Sequence, residues 1–238
     1  MQTEKTVGFH GFTPQSILFL KNVHSHNSKP WFEKNRTDYE IHLLVPFKRL
    51  VEDLTPTMLK IDPEFEVRPV VNRTISTIYR DTRFSRDKSL FKDTMWLTFK
   101  RPNPEWKDAP AYYFEITPTF YRYGIGYYNA SRASMDLFRK KVDEEPDLFL
   151  KAISFFKRKD NPFDLAGEAY KRPLACEHAP AIRLWYQMKT FYLVCKRPID
   201  KFLYSPEVAA ALAFGFEMTK PLYRYLMTAR THPASRRI

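Results

Sequence analysis

Three runs of aromatic and β-branched residues, broken only by turns, constrain this chain's fold more than any other feature. They span Thr94 to Lys100, Ala111 to Thr117 and Phe120 to Tyr128. Such side chains suit a pleated, half-buried surface and read as strands. Turn residues from Arg101 to Pro104 separate the first pair, and Thr117, Pro118 and Thr119 the second. Links this short favour antiparallel neighbours, because a parallel return needs a crossover of about a dozen residues or more. Gly124 and Gly126 inside the third run predict either a bulge or a backbone that something else approaches closely.

The rest of the chain alternates between helical spacing and breaks. Thr13 followed by Pro14 predicts a capped helix start, with Ile17, Leu18, Leu20 and Val23 on its stripe and His24 to Asn27 ending it. Ser28, Lys29 and Pro30 open a second helix, with Trp31, Phe32, Tyr39, Leu43 and Leu44 along it. Pro46 kinks or restarts that helix, and Phe47, Leu50, Val51 and Leu54 carry the stripe onward until Pro56 and the break at Ile61, Asp62 and Pro63, so residues 1–62 are mostly helical. Helices return from Ser131 to Val142, from Pro146 to Phe156, and from Ser205 to Met227. An extended segment is expected around residues 163–172, and residues 183–195 read as helix or strand, with Tyr192 to Cys195 favouring strand. The fold class is therefore α+β: a central, mainly antiparallel sheet with helices from the N-terminal third and the C-terminal half packed on it. The expected organisation is an N-terminal extension at 1–11, one α+β domain at 12–228 and a basic tail at 229–238.

Charge narrows the choice of partner. The formal net charge is +12, and it is concentrated. Residues 68–101 hold nine Lys or Arg against three Asp, and residues 186–238 hold nine against three acids. Elsewhere the two signs cancel. Such a field attracts anions: phosphorylated metabolites, nucleic acid or acidic surfaces. With only six Gly, neither a dinucleotide fingerprint nor a phosphate-cradling P-loop is present. No apolar run reaches the ~18 residues of a membrane span, and the first residues lack an export pattern. The expectation is a cytoplasmic protein, with Cys176 and Cys195 left out of a disulfide. No membrane partner, cofactor or metal is indicated, and nothing points to an oligomeric state.

The densest part of the first basic region runs from Ile78 to Asp93. Eight of its sixteen residues are charged: Arg80, Arg83, Arg86, Lys88 and Lys92 against Asp81, Asp87 and Asp93. Ile78, Tyr79, Phe84, Leu90 and Phe91 are threaded among them. A merely solvated loop would have little use for those anchors.

Three blocks carry a family resemblance. Asn27, Trp31, Phe32, Asn35 and Tyr39 match N-x-x-x-W-F-x-x-N-x-x-x-Y; the central stretch from Arg80 to Lys92 resembles R-D-x-R-F-S-x-D-K-x-P-Y-K, with Phe91 at the aromatic position; and Tyr113 to Ile116, with Gly124 and Gly126, form the third. Together they resemble a widespread family of uncharacterised bacterial and fungal proteins, a conserved domain of unknown function. The likeness runs from about Phe12 to Leu226. Leu90 stands where the family usually has Pro, and Ile125 interrupts a commonly denser glycine run. The resemblance implies an α+β fold and brings no activity with it.

Two readings of the charged stretch stand side by side. In the first, guanidinium forks of Arg80, Arg83 and Arg86, with the ammoniums of Lys88 and Lys92, hold a phosphate or another anionic ligand. Trp31 would serve as a ring-stacking platform and Asn35 as an orienting group in that site. In the second, the cations pair internally with Asp81, Asp87 and Glu115 and fix the fold. A phosphoester hydrolase or nuclease is the alternative function, with Asp81, Asp87 or Glu115 as base. The last alternative is a nucleic-acid-binding or protein-interaction module using the C-terminal basic region. No nucleophile stands out: Ser85 has no evident base, and neither cysteine has a His partner in sequence.

Overall fold

Proline placement explains much of the N-terminal helical region. The computed structural model describes residues 8–83, 85–102, 108–127 and 130–229. Phe84, Tyr128 and all but the first residue of the expected tail at 229–238 lie outside the described residues. Helix α1 (Pro14–Ser25) starts where expected. The Thr13 hydroxyl accepts from Ser16 N at 3.3 Å, and the Ser16 hydroxyl accepts from Thr13 N at 3.0 Å. Reciprocal bonds of this kind satisfy two otherwise orphaned amides of the first turn. Helices α2 (Lys29–Lys34) and α3 (Arg36–Tyr39) lead into a π-helical stretch, Glu40–Leu44, and then α4 (Val45–Ile61).

The π stretch lies just ahead of Pro46. Pro46 has no N–H to donate to the His42 carbonyl four residues back, and the Ser16 hydroxyl donates to that carbonyl instead, at 2.5 Å. Helix α4 ends at Ile61, at the second of the two expected breaks, rather than at Pro56. Pro56 sits inside α4, where it and Glu52, whose carbonyl loses its donor, are both exposed, so water replaces the missing bond. Phe47, Leu50, Val51, Leu54, Met58 and Ile61 form the buried stripe.

The strands follow: β1 (Met95–Phe99), β2 (Pro110–Ile116) and β3 (Phe120–Tyr127), each near its expected place. Then come α5 (Arg132–Glu144), α6 (Pro146–Ala152), a 3-10 turn at Ser154–Lys157, β4 (Asp164–Ala169), α7 (Pro180–Tyr186) and β5 (Met188–Pro198). The ambiguous stretch at 183–195 thus divides into the end of a helix and a strand. Helices α8 (Glu207–Met218) and α9 (Lys220–Thr228) break at Thr219, where one helix was expected. Pro221, at the second position of α9, has no N–H to continue the α8 ladder. The sheet is antiparallel and ordered β1-β2-β3-β5-β4. Asp164 lies opposite Val194 and Glu168 opposite Thr190 in the last pair. The two stretches at 66–71 and 74–79, β-branched in sequence, form only isolated bridges among the described residues.

Two compact units emerge. The first comprises Met1–Phe99, Tyr113–Tyr123 and Lys196–Phe214; the second comprises Lys100–Tyr112, Gly124–Cys195 and Gly215–Ile238. In the first, Phe12 packs edge-on against Phe47 at 5.1 Å and stacks with Phe114 at 5.7 Å. Gly11 enters that core at φ +100, and a Cβ there would meet the Tyr204 carbonyl carbon at 2.4 Å, so only glycine fits. In the second, Phe149, Trp185 and Phe191 surround Phe138 or one another at 5.2–5.8 Å. At Gly126 β5 comes close: an added Cβ would lie 2.3 Å from Tyr192 Cβ. The glycine therefore marks a close backbone approach. No disulfide joins Cys176 to Cys195, and no described helix is long and apolar enough to cross a membrane.

Candidate functional site

The charged stretch is a loop of the first unit, closed at its base and held from outside. Arg80 N donates to Leu90 O at 2.9 Å and Lys92 N to Ile78 O at 2.8 Å, which sets Tyr79 opposite Phe91 as an antiparallel bridge. Phe91 is buried and stacks on Phe32 at 4.4 Å with planes 16° apart, while Tyr79 lies 5.3 Å from Phe91. Asn27 completes the anchor. Its amide donates to Phe91 O at 2.8 Å and accepts from Phe91 N at 3.0 Å, as a neighbouring strand would. The first motif block therefore clamps the second. This is a structural role for Asn27 and Phe32 that their sequence pattern does not disclose.

Most of the loop's charges are matched locally. Asp81 takes Arg83 Nε at 3.0 Å and Nη2 at 2.7 Å. That guanidinium, helped by the Arg83 amide, holds the Asp81 carboxyl down at about 2. Asp87 accepts from Ser89 N at 2.9 Å and lies 3.3 Å from Arg80 Nη1. The Ser89 bonds first, and Arg80 after them, keep its carboxyl below the usual range. Lys88 Nζ donates to Thr82 O at 2.8 Å. Arg86 is exposed and, among the described residues, has no partner.

The base of the loop is different. Arg80 Nε is buried without a hydrogen-bond partner. Lys92 Nζ donates to Thr77 O at 2.7 Å and sits 4.5 Å from the Trp96 ring centre, with no carboxylate on it among the described residues. Burial, and then the neighbouring Arg80 charge, pull the Lys92 ammonium below its ordinary value. Beside this pair, His24 Nδ1 bonds Asp93 Oδ2 at 2.7 Å. That His–Asp pair joins residues 69 positions apart and escaped the sequence reading, in which His24 only marked the end of a helix and Asp93 was one more loop charge.

Three other candidates are engaged elsewhere. Glu115 on β2 binds Arg122 on β3, at 2.6 Å to Nε and 3.1 Å to Nη2. Asn35 closes α2 by donating to Trp31 O at 2.8 Å. Trp31 stacks with His26 at 5.7 Å and meets Phe19 at 5.6 Å. Among the described residues, no group of three or more His, Cys, Asp or Glu is placed to hold a metal ion.

A five-strand antiparallel sheet with helices makes this an α+β protein. It belongs to the conserved hypothetical protein family DUF2461, whose model matches residues 15–225. No curated protein matches the chain.

Proposed function

We propose that the protein binds a phosphate or carboxylate group of a small anionic ligand at the base of the 78–93 loop. The observation that carries this reading is the pairing of Arg80 and Lys92. Two cations stand close enough to disfavour one another, one with a buried N–H unsatisfied. A buried donor without a partner is costly, as is like charge at short range, and an incoming oxyanion relieves both. Arg86 and Lys88 extend the positive field outward, while Asp81 and Arg83 neutralise each other.

The hydrolytic reading moves to a different base. Asp81 and Asp87 both sit below the usual carboxylate range, which makes them weak proton acceptors at neutral pH. His24, oriented through Nδ1 by Asp93, keeps Nε2 available for proton transfer, so it is the group that would support turnover of a bound phosphoester.

Isothermal titration with inorganic phosphate and with acetate tests the binding reading. Arg80→Met and Lys92→Met should each weaken binding by about tenfold or more, the scale of one charge-assisted bond. Equal binding by wild type and both variants, or none by wild type at millimolar anion, overturns it. Steep salt dependence that grows with oligonucleotide length would favour the nucleic-acid alternative instead.

A further inference from the structure

The second unit holds a buried cation that its surroundings do not satisfy. Arg139, on α5, has a side chain only 7% exposed. Its Nε and Nη1 are buried with no hydrogen-bond partner. Nη2 donates to the Tyr170 hydroxyl at 3.2 Å, a neutral and rather long contact. The nearest carboxylate, Asp136, stands 3.6 Å from Nη1, is itself largely exposed, and is shared with Arg132 at 3.7 Å. The Tyr170 and Tyr186 rings lie 5.3 and 6.0 Å from the guanidinium, which softens the charge without satisfying the N–H groups. Buried guanidinium groups ordinarily meet carboxylates or carbonyls.

What lies beside Arg139 is a strap, residues 170–178, with no regular secondary structure. Its fastenings are few and polar. Tyr170 N donates to Gln187 O at 2.9 Å. The Gln187 side chain accepts from Leu174 N at 2.7 Å and donates to Leu174 O at 3.0 Å. His178 Nε2 bonds Asp143 Oδ1 at 2.7 Å, one turn along α5 from Arg139, and the Tyr186 hydroxyl donates to the same carboxylate at 3.0 Å. Strap residues 170–178 are half-buried or exposed, none fully buried. Lifting the strap therefore sacrifices little apolar packing, which is what a segment of low local stability requires. Lys171 and Arg172, exposed on the strap, add positive charge to it, while Lys189, 5.8 Å from the Tyr170 ring centre, is paired with Glu168.

We infer that Arg139 is the floor of a second anion site, one that takes a single phosphate or carboxylate group when the Tyr170–His178 strap opens and that closes over it. The oxyanion would accept from Nε, a donor left unmatched in the closed form, with Nη2 completing the fork in place of its long contact to the Tyr170 hydroxyl. The site is built wholly from the second unit and does not depend on the 78–93 loop.

The test uses the full chain with inorganic phosphate and sodium acetate as probes. The Arg139 Nε–H resonance should shift on titration, and amides of 170–178 should exchange more slowly with anion bound. Arg139→Met should weaken that binding by about 10- to 100-fold, with the ligand-free melting temperature unchanged or raised. Arg80→Met should leave the strap response intact. An Nε–H resonance indifferent to both anions overturns the inference without any variant. So does a strap response that Arg139→Met leaves unaltered. A melting temperature that falls sharply in Arg139→Met, with no strap response in the wild type, assigns Arg139 to the framework alone.

Discussion

The loop at 78–93 and the strap at 170–178 are built on the same device and put to opposite uses. Each is an irregular segment gripped by one side-chain amide that mimics a strand: Asn27 on Phe91, Gln187 on Leu174. In the loop, the gripped residue is a buried aromatic stacked on Phe32, and the charges sit outside it, mostly matched by neighbours in sequence. In the strap, the gripped residue is only half-buried, and the unsatisfied charge lies beneath, on Arg139. The difference shows that an amide clasp holds a segment only as firmly as the apolar surface it seals. The loop is a fixed platform, whereas the strap is a cover.

The sharpest way to break the comparison is to remove the loop's apolar seal. Phe32 is 1% exposed and touches Phe19, Tyr39, Tyr79 and Phe91. Phe32→Ala should cost about 3–5 kcal/mol, the usual range for a buried Phe, in a urea melt. It should also speed amide exchange at Arg80 and Lys92, whose bonds close the loop. Retention of both bonds at full protection would show that the seal does not hold the platform.

Breaking the two clasps should give unequal losses. Asn27→Ala strands the N–H and C=O of a buried residue, an expected cost of about 2–4 kcal/mol, since each unpaired buried group costs about 1–3 kcal/mol. Gln187→Ala exposes the Leu174 backbone to water that can replace the lost bonds, so about 1 kcal/mol or less is expected there. Paired denaturant melts read the difference. Equal losses would mean the strap is sealed as tightly as the loop.

The smallest effect concerns the loop's surface charge. Arg83 depresses the Asp81 carboxyl to about 2, below its unfolded value near 3.9. A depressed carboxyl contributes stability that is complete above the unfolded value and is lost as pH falls through the folded one. The Asp81 contribution should therefore persist at neutral pH and drain away between about pH 4 and pH 2. A carboxyl NMR titration should place the Asp81 midpoint near 2, and Arg83→Gln should return it towards 3.9. An unmoved midpoint would show that the ion pair does not form in solution.

Local chemistry settled what one stretch of chain can settle. Thr13 and Pro14 start α1 because capping and a preset φ act within one turn. The three apolar runs became β1, β2 and β3 because side-chain alternation and short links restrict a strand to its neighbours. The Ile78–Asp93 stretch announced itself through charges threaded with anchors, and the local Asp81–Arg83 pair is legible at a spacing of two. Other features depended on residues that meet only in three dimensions. Pro56 reads as one of two possible stops, and α4 passes through it to Ile61 with the proline turned towards solvent. Ser16 reaches the carbonyl that Pro46 orphans only after α1 packs beside the π turn. Asn27 finds Phe91, 64 positions away, and His24 finds Asp93, 69 away. Arg139 looks in sequence like any helix-surface arginine on a charged stretch, and only the packing of Tyr170 and Tyr186 beside it removes it from water. Propensity and spacing act over a turn or a hairpin, whereas desolvation depends on everything that packs nearby. The sequence alone therefore identified most of the elements and the charged loop, and the tertiary structure decided how the ambiguous stretches divide and which charges are left without partners.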